Sequence, residues 1–176
     1  MKIIARLEKS KNFWFLLITS FVFFLLRLPS LFEPYWYGDE GIYQVIGIAL
    51  RSGRLLYRDI FDNKPPLLYL VYSLFNSDQF LTRLASLIFG ILSIIVFFHL
   101  AKKIFAPEKN KTPFLATSLF AFLFGIPFLE GNIANAENFM ILPILIAVFF
   151  LIENKPTDAK KTFLFTNKFL IIGLLL

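Results

Sequence analysis

The chain of 176 residues contains 57% hydrophobic residues, 24 phenylalanines and only 17% charged residues. A soluble domain typically carries about 25% charged residues, so this composition excludes an ordinary soluble globule, and its apolar content excludes intrinsic disorder. The absence of cysteine excludes a disulfide scaffold. The net charge of +6 arises from basic residues beside apolar runs, which indicates an anionic membrane surface rather than nucleic acid as the partner.

Apolar segments approaching the length of a bilayer span recur along the chain. We predict transmembrane helices at about 12–28, 81–100, 113–129 and 137–152, and the start of a fifth at 169. The first is predicted to be an uncleaved anchor, because no small-residue cleavage site follows it. The predicted fold is therefore an all-α, polytopic transmembrane helical bundle. Because the chain ends inside an apolar run, we expect it to be a fragment of a longer protein.

Lysine and arginine placement predicts the orientation of these helices, since basic loops favour the cytoplasmic side. Basic residues are concentrated in the N-terminal tail and in the loops after the second and fourth spans. We therefore predict a multi-pass protein of the cell membrane with a cytoplasmic N-terminus. Segments 29–80 and 130–136 are predicted to be extracytoplasmic.

Two short helices are predicted inside the long outer segment 29–80. One follows Asp39-Glu40 and ends near Gly53, a residue type that often terminates helices. The other covers Pro65–Phe75, whose eleven residues are too few to cross the bilayer. We expect these juxtamembrane helices to lie at the membrane interface, with Tyr69 and Tyr72 at the level of the lipid headgroups.

Acidic and basic residues in the two outer segments predict chemistry on a lipid-linked phosphate. A carboxylate can take the proton of an attacking hydroxyl, and a cation can stabilise a departing phosphate. The predicted catalytic residues are Asp39 and Glu40. The residues predicted to bind substrate or phosphate are Tyr57, Arg58, Lys64, Arg83 and Glu137. All lie near the predicted membrane surface, where such a phosphate would be found.

The order of these residues resembles the N-terminal part of the GT-C membrane glycosyltransferases, of the family 39 type that includes protein mannosyltransferases and aminoarabinose transferases. The resemblance is carried by Asp39-Glu40, Tyr43, Gly53, Tyr57-Arg58-Asp59, Lys64-Pro65-Pro66 and Arg83-Leu84, within roughly residues 12–152. It implies a GT-C fold, a polyprenyl-phosphate sugar donor, a glycan, lipid or protein acceptor, and inverting transfer outside the cytoplasm. It further implies Asp39 as the general base with Glu40 beside it, Lys64 on the donor phosphate, and Glu137 as a second outer acid.

Each of these residues also has a structural interpretation. Asp39, Glu40 and Glu137 suit helix N-termini, Lys64 can be solvated, Arg58 can pair with Asp59, and Arg83 can extend toward the headgroups. The alternative function is a non-catalytic multi-pass membrane protein that binds lipid phosphates or scaffolds a partner. With one histidine and no cysteine, the sequence predicts no zinc site. Mg²⁺ or Mn²⁺ held by carboxylates stays open as a cofactor, although the spacing does not predict a site.

Overall fold

The structure is a computed structural model that describes residues 11–34, 36–105 and 111–153. Within these ranges the secondary structure is helical and contains no strand, which confirms the predicted all-α class. The α-helices are α1 (Lys11–Arg27), α2 (Gly38–Arg51), α3 (Pro66–Leu74), α4 (Gln79–Ile104), α5 (Thr112–Gly125) and α6 (Ala136–Glu153), with 3₁₀ turns at Pro29–Leu31 and Pro127–Leu129. The predicted fifth span from 169, the tail before Lys11 and much of the two basic loops lie outside the described residues.

The two short helices expected in segment 29–80 are present as α2 and α3. Gly53 follows α2 with φ +82°, a left-handed conformation that costs glycine little because it has no Cβ. α3 begins at Pro66, where the missing N–H of proline costs no hydrogen bond because the first turn has no partner for it. Tyr69 and Tyr72, which were predicted at the level of the lipid headgroups, are both 0% exposed and therefore face the protein interior. Their rings pack on Tyr43.

The third predicted span is shorter than the sequence suggested. α5 ends at Gly125, not at 129, and Ile126 is extended with φ −80° and ψ 142°. The cause is Pro127, because a proline ring disfavours helical backbone at the preceding residue. At about 1.5 Å per residue, the 14 residues of α5 reach about 21 Å.

α4 is the central helix and packs against α1, α5 and α6. Its Gly90 allows α1 to approach closely, because a Cβ built at that position would lie 2.5 Å from Cζ of Phe23. Phe23 is fully buried and packs with Ile94 and Ala121. This cluster packs α1, α4 and α5 against one another.

A second core joins the two short helices to α6. Tyr43 and Ile46 of α2, Leu68 and Tyr69 of α3, and Phe139 of α6 are buried together. Gly47 brings α2 and α3 into close contact, because an added Cβ would meet the Ser77 hydroxyl oxygen at 2.6 Å and the Ser73 backbone nitrogen at 3.0 Å. The α2–α3 pair is therefore anchored to the bundle.

The exterior of the described part is strongly apolar. Along α1, for example, Ile18 and Phe21 are 57% and 56% exposed. Within the described residues, Gln79–Ile104 is the one helix both long and apolar enough to cross a bilayer, while Thr112–Gly125 and Ala136–Ile152 are apolar but shorter. Its 26 residues reach about 39 Å, against about 30 Å of hydrocarbon. These features favour membrane association.

Candidate functional site

The two segments predicted to be extracytoplasmic, 29–80 and 130–136, contact each other directly. The Tyr37 hydroxyl donates to Glu130 Oε2 at 3.2 Å, and Asn132 Nδ2 donates to Glu33 Oε2 at 3.1 Å. Deeper in the molecule, the Tyr72 hydroxyl donates to the Ala134 carbonyl at 2.8 Å. The bundle therefore brings the acids of both segments to one end.

Asp39 lies half-buried in the first turn of α2. Its Oδ2 accepts a hydrogen bond of 3.2 Å from the Tyr43 hydroxyl, one helical turn later. The N-cap residue is Tyr37, and no side chain makes a capping hydrogen bond there. The interpretation of Asp39 as the cap of α2 is therefore wrong, and the carboxylate retains an edge that a ligand can reach.

Glu40, although adjacent to Asp39, is buried and hydrogen-bonded through both of its carboxylate oxygens. Its side chain is 1% exposed, and Oε2 lies 2.6 Å from Nη2 of Arg83, itself 0% exposed. Oε1 accepts from Arg83 Nε at 3.0 Å and from the Ala134 backbone N–H at 2.8 Å. A carboxylate that accepts three charge-assisted or backbone hydrogen bonds in the interior is held in a fixed orientation. Arg83 is therefore neither extended toward headgroups nor open to a phosphate in this structure.

Lys64 and Glu137 come together from different segments. Lys64 Nζ lies 3.3 Å from Glu137 Oε1, with side chains 28% and 65% exposed. The Tyr57 hydroxyl donates to the Lys64 carbonyl at 2.8 Å, and the Lys64 backbone N–H donates to the Tyr69 hydroxyl at 3.2 Å. The backbone of Lys64 is thus held from two sides while its ammonium group stays accessible.

Arg58 is placed differently from the other predicted residues. Its guanidinium pairs with the neighbouring Asp59, with Nε 2.8 Å from Oδ1, as the local-pair interpretation expected. This hydrogen bond raises the pKa of Arg58 and lowers the pKa of Asp59. Within the described ranges Asp59 is the ion-pair partner of Arg58, and Arg58 is not brought to Asp39, Lys64 or Glu137.

Three tyrosines each donate a hydrogen bond to one carboxylate in this part of the molecule. Burial raises the pKa of Tyr43, and the negative charges of Asp39, Glu137 and Asp62 raise it further. Burial also raises the pKa of Tyr69, whose hydroxyl donates to Asp62 Oδ2 at 2.8 Å. Tyr37 has a raised pKa because of desolvation and because of Glu130, Asp39 and Glu137. These phenols therefore remain neutral donors at physiological pH.

The described residues contain no group of three or more histidine, cysteine, aspartate or glutamate side chains arranged to hold a metal ion. Asp39 hydrogen-bonds to Tyr43, and Glu137 pairs with Lys64.

An apolar groove adjoins the Lys64–Glu137 pair. The cavity measures about 350 Å³ and is bounded by α3, α4 and α6. It begins at Pro65 and Ala136, the immediate neighbours of the ion pair in sequence, and continues along Phe89, Met140 and Ile146. An amphiphile could therefore place its tail in the groove and its head at Lys64.

Sequence patterns alone did not point to several residues of this site. Tyr37, Glu130 and Asn138 shape the second segment: Asn138 Nδ2 donates to the Ile133 carbonyl at 2.6 Å, and Glu130 adopts a left-handed backbone with φ 58°. The sequence feature that could have indicated these residues is the concentration of acidic and amide side chains in 130–138.

Comparison of the chain with protein-family models, with curated proteins and with solved structures found no match. The resemblance to the GT-C glycosyltransferases therefore remains a prediction.

Proposed function

We propose that this protein is, or forms part of, a membrane glycosyltransferase that moves a sugar from a polyprenyl-phosphate donor to a hydroxyl acceptor. The observation that carries the proposal is the apolar groove that leads to Lys64 and Glu137, at the end of the bundle where Asp39 is half-buried. A lipid tail, an anionic head and a base for the acceptor each have a place there. The resemblance of the motif order supports the same assignment.

The groove suits the lipid part of such a donor. Its walls are aliphatic and aromatic side chains of α3, α4 and α6, among them Leu68, Val71, Phe89 and Phe139. Because lipid is as apolar as these walls, packing contacts rather than transfer from water would hold isoprene units in the groove. The tail could enter directly from a surrounding bilayer.

Lys64 suits the phosphate of the donor. Its present partner, Glu137, is 65% exposed, and an exposed ion pair contributes only about 0–1 kcal/mol. The donor phosphodiester carries one negative charge, as Glu137 does, and can therefore displace Glu137 from Lys64 at small cost. The attraction to Lys64 would increase as the leaving phosphate gains its second charge. Glu137 would then be released to face the acceptor or a divalent cation.

Asp39 suits the role of general base. In an inverting transfer the acceptor oxygen forms a bond to the anomeric carbon while the bond from that carbon to the donor phosphate breaks. The polyprenyl phosphate leaves with the electron pair, stabilised by Lys64, and the acceptor proton passes to Asp39. The Tyr43 hydroxyl, which donates to Asp39 Oδ2, leaves the other oxygen for this proton.

The same proposal includes a multi-pass arrangement in the cell membrane. Besides α4, the apolar helices α1, α5 and α6 would cross or enter the bilayer, with the N-terminus in the cytoplasm. The contacts between segments 29–80 and 130–136 support a shared outer side for both. The site would then face donors whose sugar is presented outside the cytoplasm.

The test compares wild type with Asp39→Asn in lipid nanodiscs, using polyprenyl-phosphate donors that carry radiolabelled mannose, glucose or aminoarabinose, with a membrane extract as acceptor. Loss of the base should reduce transfer by about 10²–10⁴-fold. Asp78→Asn is the matched control, because Asp78 caps α4 and asparagine caps equally well. Full transfer by Asp39→Asn, or no transfer by wild type from any of the donors, would overturn the proposal.

A second candidate is a non-catalytic protein that binds lipid phosphates. The groove and Lys64 would suffice for binding without any contribution from Asp39. In that case a fluorescent polyprenyl phosphate would bind to wild type and to Asp39→Asn with equal affinity. Binding would weaken in Lys64→Gln, and no donor would be turned over.

A further inference from the structure

The buried Arg83–Glu40 pair joins four separate parts of the chain around the candidate site. Resting on the proposed function, we propose that it is a positioning device that holds Asp39 on α2 and Glu137 on α6 at the distance that transfer requires. Glu40 and Arg83 are then positioning residues rather than catalytic ones. This assignment differs from the catalytic role that the sequence suggested for Glu40.

Arg83 connects the end of α1 to α2. Its Nη1 donates to the carbonyl oxygens of Ser30 at 2.6 Å and of Glu33 at 2.8 Å, in the stretch that follows α1. Its Nε and Nη2 donate to the two oxygens of Glu40. The planar guanidinium therefore fixes both the position and the rotation of the first turn of α2.

The rotation of α2 determines where Asp39 lies. Successive residues of an α-helix are about 100° apart around the axis, since 3.6 residues make one turn. With Glu40 held inward by Arg83, the neighbouring Asp39 is turned to the half-buried rim. A shift of Glu40 would move Asp39 with it, because the two belong to the same rigid turn.

Glu40 also connects α2 to the second segment. Its Oε1 accepts the backbone N–H of Ala134 at 2.8 Å, three residues before Glu137, which pairs with Lys64. One carboxylate therefore sets the separation between the base and the Lys64–Glu137 pair. Among the described residues no other carboxylate is buried to this degree.

The surrounding charges make Glu40 hard to replace. Arg27 is also 0% exposed, and its Nη2 donates to the Ser86 hydroxyl at 3.1 Å, while its Nε and Nη1 have no hydrogen-bond partner. The negative charge of Glu40 therefore acts on two buried guanidinium groups, by direct contact with Arg83 and through space with Arg27. Removing the charge of Glu40 leaves both cations uncompensated in a low-dielectric interior, where each would favour a shift toward water.

The test uses a readout that does not need transfer activity. A water-soluble carbodiimide joins carboxylates to amines that are already in contact, so it should form an amide between Glu137 and Lys64. The yield of this cross-linked peptide pair, measured by mass spectrometry in nanodiscs, reports how the two segments are docked. In Glu40→Gln and Arg83→Lys we expect the yield of the cross-link to fall at least threefold. We also expect kcat to fall by a larger factor than the factor by which the KM for the donor changes. Arg54→Lys, a matched change at an exposed arginine, should retain the wild-type yield.

A triple variant separates positioning from stability. Glu40→Leu with Arg83→Met and Arg27→Met removes all three buried charges, so the chain should fold, but no side chain remains to bind the Ala134 N–H. We expect a monodisperse protein with reduced cross-linking and reduced kcat. Wild-type cross-linking and kcat in a folded single or triple variant would overturn the positioning role. If wild type shows no transfer but the variants lose the cross-link, the proposed function fails while the docking role stands.

Discussion

Lys64 Nζ and Glu137 Oε1 lie 3.3 Å apart although 73 positions separate the two residues in the sequence. The lysine precedes Pro65, the N-cap of α3, and the glutamate lies in the first turn of α6. Their contact places a cation and an acid next in sequence to Pro65 and Ala136, which line the apolar groove. It makes the Lys64–Glu137 pair the most direct place to perturb the site without disturbing the core.

Lys64→Gln should raise the KM for donor by about 10–100-fold, since a hydrogen bond to a charged group contributes about 1.5–3 kcal/mol. Glu137→Gln should leave this KM unchanged or lower it, because the competing partner of Lys64 is gone. Neither change should alter the free energy of unfolding by more than about 1 kcal/mol, since the pair is partly exposed. Initial rates at varied donor concentration and thermal unfolding measure these effects. Equal increases of KM in both variants would contradict a phosphate-binding role for Lys64.

Gly90→Ala and Gly47→Ala should each destabilise the protein by about 1–3 kcal/mol, the usual cost of overpacking a core. The added methyl groups would meet the Phe23 ring in one case and the Ser73 backbone nitrogen in the other. Gly41→Ala is the control, because a Cβ added at that position would meet nothing within 4 Å. Alanine there should be neutral or stabilise α2 by up to about 1 kcal/mol. Thermal unfolding in one detergent compares the three variants.

Stability should decline in alkali because of Tyr43, whose pKa is raised by burial and by Asp39. Up to about pH 10, the ordinary tyrosine pKa, this phenol is protonated in both folded and unfolded chains and contributes no pH dependence. Above that pH the unfolded chain releases the proton while the folded protein retains it. The free energy of unfolding should then fall by up to about 1.4 kcal/mol per pH unit until the folded-state pKa is reached.

Phenolate absorbance near 295 nm, together with the unfolding midpoint between pH 9 and pH 11, measures this effect. Tyr43→Phe should remove part of the alkaline slope. A wild-type slope retained by Tyr43→Phe would assign the effect to Tyr69 or Tyr37.

The segments that precede and follow α4 should be accessible from opposite sides of the membrane. The chain has no cysteine, so Arg58→Cys and Lys103→Cys each introduce a single thiol at an exposed position. In intact cells we expect an impermeant maleimide to label Arg58→Cys, but to label Lys103→Cys only after permeabilisation. A third variant, Glu137→Cys, should behave like Arg58→Cys. Labelling of Lys103→Cys from outside would contradict the predicted orientation.

Much of the helical architecture could be predicted from local sequence. Long apolar runs predicted α1, α4, α5 and α6, and Gly53 and Pro66 predicted where α2 ends and α3 begins. The end of α5 was missed because the apolar run continues through Pro127, and hydropathy does not register the backbone restriction that proline imposes on Ile126. The burial of Tyr69 and Tyr72 could not be predicted, because a short apolar helix gives no indication of which face meets the core.

By itself, the sequence determined that the chain is helical and strongly apolar, and which polar residues occur between the apolar runs. These properties follow from composition and spacing, which act over a few residues at a time. Only the tertiary structure decided that Glu40 is buried against Arg83 and that Lys64 meets Glu137. The reason is physical: a charged side chain takes its partner from whatever the packing of distant helices places within a few ångströms, and local sequence carries no record of that distance.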